Sequence, residues 1–401
     1  MRILLLNQCF YPDVAATGQY LTELALELSN RGHSVTVIAS DRGYDNPSLR
    51  FPTRETWKGI TIIRIASLAL GKETKWRRAV NFGSFLINCS LRLLLLPRFD
   101  RVIALTSPPL ISVLGALFVR LKGGRLFCWV MDLNPDEAIA AGWLKEQSFV
   151  AQTLRRLLRY SMRQAHRVIV LDRFMKERVV EKGIPKGRIA VLSPWSHDNA
   201  IQFDVAGREE FRERHDLRNK FVVMYSGNHS PCHPLDTLLQ AALRLSNKPE
   251  IAFCFVGGGS EQTKVKAFAA QHRLNTIKCL PYQPLDQLSG SLSAADLHAV
   301  VMGDPFPGIV HPCKVYNILT VGSPFLYIGP QESHITEIAS QSSNGLRFYS
   351  ARHGEVDRVV SHITQAAGQA SAQHRGCRDL ADKFSKGKLL PQFIQLLETG
   401  N

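Results

Sequence analysis

Apolar and polar positions alternate along the chain in blocks of two kinds. Arg2-Ile-Leu-Leu-Leu-Asn7 is a short unbroken apolar run, as expected of a strand buried on both faces. From Tyr20 to Arg31 the apolar residues recur at helical spacing, and Gly32 closes the segment. Ser34 to Ala39 is again strand-like. Strand, helix and strand within about 35 residues predict a βαβ unit, and hence parallel strands. Strand-like runs recur at 101–105, 125–130 and 167–171, with helical stretches between them. The uncharged stretch 102–119 borders on membrane-spanning length. Thr106-Ser-Pro-Pro109 divides it, however, so a buried strand, a turn and a helix are predicted.

The pattern breaks near residue 200. Pro194-Trp-Ser-His-Asp-Asn199 is turn-rich, and Gly207 to Lys220 is highly charged. Strand-like runs then resume at 221–225, 251–256, 276–280, 297–302 and 325–328, with helical segments at 235–245, 262–272 and 314–320. The predicted class is α/β: two doubly wound, Rossmann-like domains facing each other across a cleft. The expected division is 1–198 and 199–384, with a C-terminal helical segment from about 385 to 401.

A chain of 401 residues, 45% hydrophobic and 21% charged, suits two globular domains and excludes a disordered protein. Mean hydropathy of −0.07 excludes a polytopic membrane protein. No leader peptide is expected from the first residues. The eight cysteines are scattered with no Cys-x-x-Cys pair, which points to a reduced cytoplasmic protein rather than a disulfide framework or zinc site. Charge is unevenly placed: residues 1–200 carry 29 basic and 16 acidic side chains, residues 201–401 carry 20 and 18. The basic half is expected to face a polyanion. No nucleic-acid partner is expected, because the basic residues are not interleaved with stacking aromatics and no binding module is recognisable. An anionic membrane surface is the favoured partner. Lys72 to Arg78 and Arg155, Arg156, Arg159, Arg163 and Arg167 supply basic groups, and Phe82 to Leu96 is an apolar helical stretch between them.

Three strand ends run into glycine-rich turns where free N–H groups could hold phosphate: Gly18, then Ser226-Gly227-Asn228-His229, then Gly257-Gly-Gly259. The dinucleotide fingerprint, the Walker loop, His-Glu-x-x-His and Asp-x-Asp are all missing. No metal site and no cofactor are expected. The densest constellation is His311-Pro-Cys-Lys314-Val-Tyr-Asn317, running on to Gly322 and Pro324. A cation at Lys314, in the first turn of a helix, opposes the helix dipole unless an anion binds nearby. Asn317 lies one turn on, on the same face.

The block Pro312-x-Lys314-x-x-Asn317-x-Leu-x-x-Gly322-x-Pro324, with Tyr225-Ser-Gly-Asn228 upstream and Gly18 in the first loop, resembles the family-four type of retaining glycosyltransferases. The resemblance is greatest to the branch acting in bacterial exopolysaccharide, O-antigen and colanic acid assembly, and it covers essentially the whole chain. It implies the GT-B fold, with a nucleotide diphosphate sugar donor on the second domain and an acceptor, expected to be a lipid-linked glycan, on the first. It implies that the C-terminal helix crosses back onto domain one. It implies metal-independent front-face transfer at the inner face of the plasma membrane, with no dedicated nucleophile. Donor contacts are assigned to Gly18, Ser226, Gly227, Asn228, His229, Gly257, Tyr282, His311, Lys314 and Asn317, with His233 as a further candidate. Lys314 and Asp132 are the expected catalytic pair, Asp132 handling the acceptor hydroxyl. Asp136 and Glu137 also suit a helix N-terminus.

The chain departs from the family pattern at two places. Ile309 and Asn317 stand where many relatives have glutamates, and Asn228 and the Cys232-His233 segment stand where many have Arg and Lys. Two other functions fit the same fold: a nucleotide-sugar epimerase, and a sugar-nucleotide-binding protein without catalysis.

Overall fold

The computed structural model describes residues 1–400 except 14, 44–45, 69, 72–74, 199, 343–346 and 370–377. The chain divides into two compact units. The first comprises Met1–Ser193, Gly308–Val310 and Leu390–Asn401; the second comprises Pro194–Pro307 and His311–Leu389.

The first unit holds eight strands: β1 (Arg2–Leu6), β2 (Ser34–Ser40), β3 (Arg54–Trp57), β4 (Ile60–Ile65), β5 (Arg101–Ala104), β6 (Arg125–Trp129), β7 (Arg167–Val170) and β8 (Ile189–Val191). Their order is β3-β4-β2-β1-β5-β6-β7-β8, and every pair is parallel except β3 with β4. The central strands are buried along nearly their whole length, as the unbroken apolar runs require when helices cover both faces. The helix Ile111–Lys122 packs very close to this sheet. A Cβ at Gly115 would lie 2.9 Å from Leu126 Cδ1, so any larger residue there would make the Leu126 side chain shift. The stretch 102–119 is therefore strand, turn and helix, as its prolines predict.

In this unit β3, β4 and β8 escaped the sequence pattern. Trp57-Lys-Gly-Ile60 forms the tight turn between β3 and β4, with Lys58 and Gly59 both at positive φ. The edge strand β3 alternates exposed and half-buried positions and carries no apolar run that would announce it.

The second unit holds β9 (Phe221–Ser226), β10 (Ile251–Val256), β11 (Ile277–Leu280), β12 (Leu297–Val301), β13 (Phe325–Ile328) and β14 (Phe348–Ala351). Their order is β11-β10-β9-β12-β13-β14, all parallel. Asp296 ties the base of this sheet together. Its Oδ2 accepts from the Val222 amide at 2.8 Å and from Arg212 at 2.5 Å, and its Oδ1 accepts from Arg208 at 2.7 Å. Both arginines lie on the helix Val205–Arg214, which Asp204 caps by accepting from the Gly207 amide. The charged segment after residue 206 is thus an anchored helix.

The C-terminal helix runs Lys386–Thr399, and from Leu390 onward it belongs to the first unit. There Phe393 packs on Trp129 with ring centroids 4.3 Å apart, and Arg101 donates to the Leu397 carbonyl. The passage between units comes at Ser193 and Pro194, slightly before the expected residue 198.

Candidate functional site

In open parallel sheets, ligands bind outside the carboxyl ends of the strands, where the strand order reverses. In the second unit that point lies between β9 and β12. The two strands are registered at Leu297 with Val223 and at His298 with Met224, and no further pair follows, so their carboxyl ends part. The turns after β9 and β10 and the helix Lys314–Thr320 supply groups to this region.

Lys314 is the central feature. Its Nζ is buried, has no hydrogen-bond partner, and sits 3.5 Å from the centre of the Tyr225 ring. The ring is fixed, because its hydroxyl donates to the Asn228 carbonyl at 2.7 Å. Burial pushes the Lys314 ammonium down to about 7, since a charge without water or partner is costly. Burial first, then the Lys314 charge, lowers His229 to about 4 and His233 to about 3. A basic group flanked by two neutral imidazoles and an aromatic face is suited to receiving an anion.

The glycines make room for it. Gly227 has φ +134°, and a Cβ there would lie 3.1 Å from Lys314 Nζ. Gly257 has φ +130°, and its Cβ would collide with the Gly227 carbonyl oxygen. The Tyr282 ring lies against the same turn, 3.0 Å from where a Gly258 Cβ would be, and is 47% exposed. Asn228 and His229 pack against Gly259. Gly227, Asn228, His229, Gly257, Tyr282 and Lys314 therefore converge, with Ser226 at the end of β9 beside them. The role of the Tyr225 ring escapes sequence reasoning; an aromatic at a strand end gives no signal that it will carry a lysine.

The remaining candidates have other surroundings. His311 Nε2 pairs with the Tyr316 hydroxyl at 2.7 Å, and its ring stacks on His334 at 3.7 Å. Asn317 Oδ1 accepts from the His197 amide at 3.2 Å, tying the helix to the segment after Pro194. Gly18 and Asp132 belong to the first unit. Gly18 is buried in the first helix, Ala16–Asn30, where a Cβ would lie 3.3 Å from Cys9. Asp132 follows β6; burial and then the Glu137 carboxylate raise its pKa well above the usual carboxylate range. Asn134 holds Glu137 with a 2.8 Å hydrogen bond, and Lys182 holds Asp136 at 2.7 Å.

Two family models match the chain. "Glycosyl transferase 4-like domain" matches residues 16–195, and "Glycosyl transferases group 1" matches residues 207–307. The two matches fall one in each unit, in the order of a two-domain sugar transferase. The chain belongs to the family-four type of glycosyltransferases. It is 28% identical to WcaI of Escherichia coli (strain K12), named as a colanic acid biosynthesis glycosyl transferase, over 80% of this chain and 82% of that one. Among solved structures, the glycosyltransferase resembles sucrose-phosphate synthase of Thermosynechococcus elongatus. That match has TM-score 0.79 and 13% identity, and covers 100% of this chain and 98% of that one. Anabaena Alr3699/HepE, solved in complex with UDP-glucose, matches with TM-score 0.72 and 16% identity over 100% of both chains. The fold of the glycosyltransferase is GT-B, with two Rossmann-like units.

Proposed function

We propose that this glycosyltransferase takes a sugar from a nucleotide diphosphate sugar held by the second unit and transfers it, with retention, to a lipid-linked glycan in bacterial surface-polysaccharide synthesis. The observation that carries the reading is the partnerless Lys314 Nζ beside the Gly227 and Gly257 turns. A cation and close-approach glycines at a strand-order reversal are what a diphosphate requires. The UDP-glucose bound by HepE and the colanic acid name of WcaI support the donor class and the pathway class. Lys314 would stabilise the charge developing on the leaving diphosphate, which would take the acceptor proton, so that catalysis rests on positioning and electrostatics without a metal ion. The raised carboxyl of Asp132 suits hydrogen bonding to an acceptor hydroxyl.

The first unit offers a surface for a lipid leaflet. Among the described residues, no helix is long and apolar enough to cross a membrane. The helix Lys75–Leu94 buries Phe85, Cys89 and Leu93 but exposes Ile87 and Leu91, and Leu95 just beyond it is 76% exposed. Leu117 and Leu121 are exposed on the neighbouring helix Ile111–Lys122, next to Arg120 and Lys122. Apolar side chains beside basic ones suit peripheral attachment at the inner face of the plasma membrane. The arginine stripe is narrower than its spacing implies. Arg159 and Arg163 are exposed, but Arg155 pairs with Glu146 and Arg167 donates to the Gly400 carbonyl. Residues 72–74 of the other basic segment lie outside the described residues.

The test is a transfer assay with radiolabelled nucleotide sugars and a lipid-linked glycan, in EDTA. Product with the donor's anomeric configuration is expected. Conversion of the donor without acceptor would mark an epimerase, and donor binding without any turnover would mark a binding protein.

A further inference from the structure

Lys314 presents an unusual balance of charge. Its Nζ is out of water with no acceptor in reach, and the groups facing it are the Tyr225 ring from β9 and His229 and His233 from the segment that follows. Burial keeps the Tyr225 phenol protonated, so none of these carries a negative charge, and no carboxylate contributes to the environment of the amine among the described residues. The aromatic face offers partial compensation to an ammonium, but a neutral amine needs none. Gly227 keeps the space at Nζ free of a side chain.

We propose that the Tyr225–Lys314 pair, flanked by His229 and His233, is a proton-linked anion receptor: Lys314 takes up one proton from solvent as the diphosphate arrives and returns it when the nucleoside diphosphate leaves. This rests on the reading of the cluster as the diphosphate site. The balance is simple: the amine lone pair forms an N–H bond with a proton from water or buffer, and the new ammonium faces the incoming phosphate oxygens. The empty site thus avoids a buried unpaired charge, and the occupied site gains a full cation. Desolvation already brings the amine to about 7, so the switch falls in the physiological range, and an adjacent anion favours the charged form. The two imidazoles, which burial holds well below their ordinary value in the empty site, serve as positioning residues.

Calorimetry on the full chain tests this, with UDP and inorganic pyrophosphate as probes, in Tris and Hepes buffers at pH 8. The difference in heat between buffers counts protons. Wild type is expected to take up close to one more proton per bound anion than Lys314→Arg, whose guanidinium is charged throughout. The excess should shrink at pH 6. Equal proton counts in the two proteins overturn the proposal. A second measurement needs no variant: wild-type affinity for UDP, whose phosphates are then fully ionised, should fall by up to about tenfold per pH unit between pH 8 and 9.5, the limit for one linked proton. A flat profile overturns proton linkage while leaving diphosphate binding intact. Failure of both probes to bind at any pH overturns the diphosphate reading itself.

Discussion

Lys314 rests its Nζ 3.5 Å above the centre of the Tyr225 ring, and these two residues come from elements almost ninety positions apart. The pairing joins the end of β9 to the helix that follows β12, across the point where the sheet reverses its order. Removing the cation should therefore harm binding more than folding. Lys314→Ala is expected to weaken nucleoside diphosphate binding by about 1.5–3 kcal/mol, the range for a charge-assisted hydrogen bond. Calorimetry measures it, with a melting curve to confirm that the variant is folded.

The glycine turns should be intolerant for a different reason. Gly257→Ala must place a side chain at φ +130° and against the Gly227 carbonyl. A cost of about 1–3 kcal/mol in stability is expected from the backbone conformation. Denaturant unfolding gives the stability, and nucleotide affinity should drop with it because Gly227 and Lys314 share the displaced region.

Asp296 supports the site from below. Asp296→Ala leaves the buried Arg212 and the half-buried Arg208 without their carboxylate and removes the acceptor for the Val222 amide. Loss of one partner from a buried ion pair costs about 3–5 kcal/mol. Urea unfolding should show it, and Asp296→Asn should recover part of the loss by keeping the acceptor oxygen.

Asp132 predicts a pH dependence of stability. An acid whose folded-state pKa lies above its unfolded value binds more protons when folded. Its contribution is complete below the unfolded pKa and is lost as pH rises toward the raised folded value. Burial and Glu137 raise Asp132, so wild type should lose stability as pH climbs from about 4 through neutrality and beyond. Asp132→Asn cannot ionise, and its melting temperature relative to wild type should rise over the same range. A constant difference would show that Asp132 does not titrate this way.

The apolar surface of the first unit yields a separate test. Binding to anionic vesicles should exceed binding to neutral ones and fade with salt. Leu91→Glu with Leu121→Glu should reduce it several-fold while leaving the melting temperature nearly unchanged, since both side chains are exposed, at 59% and 69%.

Much of this architecture was legible because parallel strands buried on two faces leave unbroken apolar runs, as at Ile3 to Leu6 and Ile251 to Val256. Edge strands such as β3 and β8 lack that burial and so lack the signal. The glycines could be located because positive φ restricts residue choice, and Lys314 because a cation in the first turn of a helix opposes the helix dipole. The Tyr225–Lys314 contact and the Asn317–His197 tie could not, since both depend on tertiary placement of segments distant in sequence.

The most direct test of the donor site is saturation-transfer NMR on the full chain, with UDP-, GDP-, ADP- and dTDP-glucose compared between wild type and Lys314→Ala. The account predicts transfer to the ribose and sugar protons of at least one nucleotide sugar in wild type, and its near disappearance in the folded variant. Equal transfer in both proteins, or none from wild type to any nucleotide sugar, would contradict it.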